Sequence, residues 1–120
     1  MIILDTNFLI YLMKYRIADA LEGKKNELAV PSPVINELKG LAKSAEKGKD
    51  KEAAKMALVL LEKWKVRILE SGKNADAAIE ELAAEHKAKV GTVDRLLAKK
   101  LESLGIKLIK VRQKTHLIEY

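Results

Sequence analysis

The chain opens Met1-Ile2-Ile3-Leu4-Asp5-Thr6-Asn7-Phe8-Leu9, and the fold turns on how the first five residues are read. Four apolar residues without polar alternation fit a strand buried on both faces, as in a parallel sheet. Asp5 ends that run, and residues 7–14 (NFLIYLMK) then read as a helix. Strand therefore passes to helix at a carboxylate.

The same unit repeats outward from this start. A short helix near 16–22 and a turn at Gly23–Asn26 lead to a second strand, Leu28-Ala29-Val30. Ser32-Pro33 offers a hydroxyl cap followed by proline at the first helical position. Val34, Ile35, Leu38, Leu41 and Ala42 then recur at helical spacing. Ser44–Lys49 reads as a loop, and Asp50 as the cap of a helix with Ala53, Ala57, Leu60, Leu61 and Trp64 inward. Val66–Leu69 is a third strand, residues 75–86 a helix, and Lys89–Thr92 a fourth strand. Asp94 opens a helix to Leu104 that Gly105 stops, and Ile106–Val111 is a fifth strand before a tail. Short apolar strands alternating with amphipathic helices predict an α/β fold in three layers. Its central sheet is mainly parallel, with four to five strands flanked by helices on both faces. Residues 1–120 read as one domain, because no linker, repeat or low-complexity stretch interrupts them.

Composition narrows the chemistry. A hydrophobic share of 48% supports a core, and a charged share of 33% a heavily ionic surface. The absence of cysteine excludes disulfides, zinc thiolates and thiol nucleophiles. No run approaches the roughly 20 apolar residues of a membrane span, and nothing resembles a signal peptide, so a cytoplasmic location without membrane contact is expected. The formal net charge of +6 favours polyanionic partners, nucleic acid first.

The acids are more telling. Glutamate outnumbers aspartate 12 to five, so each aspartate marks a place where the shorter side chain is used. Asp5 follows the first strand, and Asp94 follows the fourth in Val90-Gly91-Thr92-Val93-Asp94. In parallel central strands both emerge at the carboxyl edge, where such sheets bind ligands. Glu37 flanks the apolar stripe of its helix, and Asp76 lies on the inward stripe of the next, in its first turn. Singly, each has a plain structural explanation, helix capping for the aspartates and a boundary position for Glu37. Jointly, four carboxylates approach one edge. Two carboxylates about 6 Å apart repel by roughly 3 kcal/mol at an effective dielectric near 20, which invites a cation. Oxygen ligands of this kind suit Mg²⁺ or Mn²⁺, one or two ions of which acidify a water and neutralise charge on a phosphate.

The segments Ile2–Leu9, Val34–Leu38, Ala75–Ile79 and Val90–Leu97, in this order and spacing, resemble the PIN-domain nucleases. The resemblance implies metal-dependent endoribonuclease activity that leaves a 5′-phosphate and a 3′-hydroxyl. It implies catalytic and metal-ligating roles for Asp5, Glu37, Asp76 and Asp94, with polar support from Thr6, Asn7 and Thr92. The stretch from Thr92 to Leu101 is similar to the ribosomal-RNA processing branch of small archaeal-type members. Leu96 and Leu97 stand where toxin-type members more often place phenylalanine. Two departures are Ala77, where the processing branch often has a second acid, and the missing cysteine zinc modules of its larger members. Family members commonly dimerise, so a homodimer through apolar residues near 8–15 is an expectation beside burial of those residues in the core.

RNA is the expected partner. Lys39, Lys43, Arg95, Arg112 and Lys114 are the candidates to hold its phosphates, with further lysines at 47, 49, 51, 55, 99, 100, 107 and 110. Phe8 and Trp64 read as core, and His86 as a packed histidine. A haloacid-dehalogenase-type phosphatase wants an acid two residues after Asp5, where Asn7 stands, and a receiver wants paired acids after the first strand. Two alternatives remain open: an RNA-binding or assembly factor with weak or no catalysis, and a toxin-type ribonuclease.

Overall fold

A computed structural model describes residues 1–44, 48–112 and 116–119. Part of the expected 44–49 loop, together with Lys47, Lys114 and Tyr120, lies outside the described residues. The chain builds β1 (Ile2–Leu4), α1 (Thr6–Lys14), a 3₁₀ segment (Ala18–Glu27), β2 (Leu28–Pro31), α2 (Ser32–Ala42) and α3 (Lys49–Lys63). It continues through β3 (Arg67–Leu69), α4 (Ala75–His86), β4 (Lys89–Gly91), α5 (Arg95–Ser103), β5 (Leu108–Arg112) and β6 (His116–Glu119).

The six strands form one sheet in the order β3-β2-β1-β4-β5-β6. All neighbours are parallel except β5 and β6, which pair antiparallel from Ile109↔Glu119 to Arg112↔His116. The expected four to five strands thus become six, because what reads as a tail folds back as a hairpin. The strands progress outward from β1 through β2 to β3, then return to β4 on the other side of β1 and move outward again to β5. The order reverses between β1 and β4, and a crevice opens at such a reversal beyond the carboxyl ends of the strands. Asp5 and Thr92 stand at those two ends. Right-handed crossovers place α1–α3 on one face and α4–α5 on the other, and α3 packs along both α1 and α2.

Every residue of β1 and β2 is buried, as expected of central parallel strands. Phe8, Leu9, Leu12 and Met13 of α1 join that core. The apolar residues offered for a dimer face are therefore mostly used inside the protomer. Trp64 packs half-buried against the core, and His86 is half-buried at the end of α4. Gly91 has a packing reason: a Cβ there would meet carbons of the Phe8 ring at 2.8, 2.9 and 3.1 Å, and that ring is fully buried.

Three local expectations are corrected. The short helix near 16–22 and the turn after it are one 3₁₀ segment in which only Leu21 is buried. Ser32 begins α2 rather than capping it: its hydroxyl donates to the Ser71 carbonyl (3.2 Å) and accepts from the Ser71 amide (3.0 Å). That clamps the start of α2 to the β3–α4 loop. Asp50 lies in the first turn of α3, behind Gly48 as cap, and pairs with Lys14 at 2.9 Å.

Candidate active site

Asp5 is fixed from three sides. Its amide donates to the Gly91 carbonyl (3.0 Å), continuing the β1–β4 ladder by one residue. Its Oδ1 accepts the Thr6 amide at 2.7 Å as the N-cap of α1. Its Oδ2 accepts the Thr92 hydroxyl at 3.1 Å. Thr92, 2% exposed, also accepts the Asp94 amide through the same hydroxyl oxygen (3.1 Å). Thr92 is thus a rivet between the two aspartates, not a helix cap.

Asp94 caps α5, with Oδ1 accepting the amides of Leu96 (2.9 Å) and Leu97 (3.1 Å). Asp76 does not cap α4, since Asn74 accepts the Ala77 amide there (2.9 Å). The Asp76 carboxylate, in the first turn, is exposed. Glu37 accepts the Thr6 hydroxyl at 2.6 Å, so α2 is tied to the residue after Asp5.

These acids share one cavity of about 420 Å³, lined by Asp5, Thr6, Asn7, Glu37, Asp76 and Asp94, with Gly40 and Leu41 closing one side. Asp5 is its buried floor, 6% exposed, and the other three carboxylates stand on more open walls. Among the described residues none of the four enters an ion pair. Burial pushes the Asp5 carboxyl above its ordinary value, against the Thr6 and Thr92 hydrogen bonds that lower it. The charges of Asp76 and Glu37 push it further up. Such a carboxylate gains from a proton or a cation.

The donor set is all oxygen, which suits a hard divalent ion. Among the described residues no three acidic or histidine side chains gather tightly enough to ligate one ion together. The convergence is therefore looser than four ligands on one centre. One or two carboxylates with retained waters is the arrangement Mg²⁺ favours, its remaining positions being open to phosphate oxygens.

The cationic candidates are more dispersed. Lys39 and Lys43 are exposed on and just after α2, beside Glu37 but outside the cavity wall. Arg95 begins α5 next to Asp94 and lines a second cavity instead. Arg112 is exposed at the end of β5, paired in register with His116. Lys114 lies outside the described residues. Reading by residue type missed Tyr11, whose ring faces that second cavity and packs on Tyr15 with centroids 4.3 Å apart. The available signal was the four-residue spacing of the two tyrosines.

No helix among the described residues is long and apolar enough to cross a membrane. Over 122 aligned residues the chain is 37% identical to a protein of Methanocaldococcus jannaschii named ribonuclease VapC4, covering 96% of this chain and 92% of that protein. A solved domain of a functionally unknown protein from the same organism superposes with a TM-score of 0.68 at 17% identity. It covers 99% of this chain and 96% of its own and supports the fold alone. Residues 2–114 match the family described as PIN like domain, and with sheet order, acid-lined crevice and relative in agreement, the chain belongs to that family.

Proposed function

We propose that the protein is a metal-dependent endoribonuclease whose reaction centre is the cavity of Asp5, Glu37, Asp76 and Asp94. The observation that carries this is the unpaired state of those acids: in a chain with formal net charge +6, the crevice at the strand reversal holds carboxylates and no lysine in ion-pair contact among the described residues. The ribonuclease name of the 37% identical relative supports the same chemistry.

In this reading Asp5 and Asp94 hold Mg²⁺ or Mn²⁺, with Glu37 and Asp76 completing the negative wall. Such an ion acidifies a water and neutralises charge on the scissile phosphate. Thr92 fixes the spacing of Asp5 and Asp94, and Thr6 holds the Glu37 carboxylate. Asn7, exposed at the rim, donates to the substrate or an attacking water. Lys39, Lys43, Arg95, Arg112 and Lys114 supply cationic contacts to the RNA backbone outside the acid wall. The protein works in the cytoplasm, and a homodimer would have to use surface other than the buried face of α1.

A structured-RNA panel incubated with Mg²⁺, Mn²⁺ or chelator tests this. Metal-dependent strand scission leaving a 5′-phosphate and a 3′-hydroxyl is the expected result. Binding in every metal without scission would replace the reading with that of an RNA-binding or assembly factor. As to pathway, ribosomal or other RNA processing follows from the Thr92–Leu101 likeness. A toxin-type ribonuclease is the second reading, favoured by identity with VapC4 across nearly the whole chain. Cleavage of precursor transcripts against growth arrest on expression separates the two.

A further inference from the structure

A second cavity of about 510 Å³ adjoins the acid crevice, with Asp94 in the wall of both. It lies between α1, α5 and β5, and apart from Asp94 and the Thr92 hydroxyl bonded to it, its wall has no part in holding a metal ion. Its volume falls in the range of small-molecule pockets, roughly 300–1,000 Å³. Its wall combines an aromatic ring, Tyr11, with the aliphatic side chains of Val93, Ala98 and Val111. Val93 is 38% exposed, although it is a large apolar residue in a loop. Arg95 and Lys99 stand at the same cavity on successive turns of α5, and among the described residues neither is ion-paired. Lys110, by contrast, is held by Glu102 at 3.2 Å. Tyr15, 43% exposed, packs on the Tyr11 ring with the two planes 34° apart.

We infer that this cavity is a nucleoside subsite for single-stranded RNA: it takes the base next to the scissile phosphate against Tyr11, while Arg95 and Lys99 hold the adjoining backbone phosphate. The assignment rests on the endoribonuclease reading only for the position of the scissile bond. An aromatic face with aliphatic walls suits any unstacked base, and cations at the mouth suit its phosphate. A base stacked and paired within a duplex does not reach such a recess. Tyr11 is a positioning residue here, not a catalytic one, because it touches the substrate's neighbouring base and not the reacting phosphate.

The test uses the full chain in chelator, so that binding is read apart from turnover. The probes are a short fluorescein-labelled RNA strand of mixed sequence and the same strand annealed to its complement, followed by anisotropy. Single-strand binding should exceed duplex binding. Tyr11→Leu should weaken single-strand binding about tenfold, and Tyr11→Phe should restore it. Val93→Trp, filling the cavity from an exposed loop position, should weaken it as well, with melting temperatures showing that each variant is folded. In Mg²⁺, Tyr11→Leu should raise KM while leaving kcat nearly unchanged. Equal affinity for duplex and strand, or wild-type binding by both Tyr11→Leu and Val93→Trp, overturns the subsite. Tyr11-dependent binding without cleavage in any metal sinks the nuclease reading and leaves the subsite standing. Cleavage indifferent to Tyr11→Leu does the reverse.

Discussion

Asp50, Glu80, Glu81, Glu102 and Glu119 each hold a lysine, whereas Asp5, Glu37, Asp76 and Asp94, gathered round one cavity, hold none among the described residues. The two groups sit on the same small molecule in the same solvent. What separates them is where the fold delivers cations. Helix surfaces and the β5–β6 hairpin bring Lys14, Lys73, Lys89, Lys100 and Lys110 within reach of acids. The crevice between β1 and β4 is lined by hydroxyls and backbone amides instead. Hydroxyls and amides orient a carboxylate without neutralising it, so the negative charge there stays available to something from outside.

The largest expected effect breaks the comparison at its centre. Asp5→Asn should lower metal-dependent RNA cleavage about 100-fold or more, since several kcal/mol of transition-state stabilisation goes at roughly 1.4 kcal/mol per factor of ten. Asp50→Asn, changing a paired acid by the same atom, should leave the rate alone. Gel-resolved initial rates in Mg²⁺ check both, and equal losses would erase the distinction.

Next in size is a stability contrast at Asp94. Asp94→Ala removes the acceptor of two helix amides and should cost about 1 kcal/mol in urea unfolding. Asp94→Asn keeps that cap and removes a charge, so in chelator its melting temperature should equal or exceed that of wild type. Added Mn²⁺ should raise wild type more than Asp94→Asn. A large loss for Asp94→Asn in chelator would mean that the negative charge itself stabilises the fold, which overturns the expected repulsion among the acids.

A smaller effect follows from pH. The folded Asp5 carboxyl lies above its ordinary value of 3.8, so the folded protein holds this proton more tightly than the unfolded chain does. That contribution is present below 3.8 and is lost as pH rises through the folded value. In chelator, wild type should therefore fall in stability relative to Asp5→Asn as pH rises from 3.8 through the folded value. Glu119 runs the other way. Its hydrogen bond from Lys89 lowers its value, so its contribution is present above 4.5 and fades as pH falls through the folded value. Urea midpoints taken from well below the ordinary values of both carboxyls up to neutral pH distinguish the two signs. The smallest effect is at the paired surface: Lys14→Met, which frees the exposed Asp50, should leave the melting temperature unchanged at physiological salt.

Much of this was legible in the residues. Asp5 and Asp94 announce themselves because a carboxylate directly after a buried apolar strand, or within a few residues of one, has few places to go in a parallel sheet. Glu37 and Asp76 were visible from their position against helical stripes, and both line the shared cavity. What the residues did not convey was closeness: periodicity fixes which way a side chain faces, not how far it stands from another element's side chain. The same limit hid Tyr11, whose helical stripe reads as core although its ring looks across to α5 and β5. The sixth strand was missed because His116–Glu119 has no fully buried residue to mark it and is held at the sheet edge by antiparallel pairing with β5 rather than by an apolar pattern of its own. Ser32 was misjudged because a hydroxyl before proline carries the signature of a cap, and only the approach of Ser71 offers it a better partner.

Gly91 ends the strand that β1 pairs with, just before the loop that carries Thr92 and Asp94. The Phe8 ring of α1 occupies the space that a Cβ at position 91 of β4 would need. Thr92 and Asp94 extend from one side of that contact, Asp5, Thr6 and Tyr11 from the other. A methyl group at position 91 would press on that ring, so α1 or β4 would have to give, and residues of those elements line both cavities.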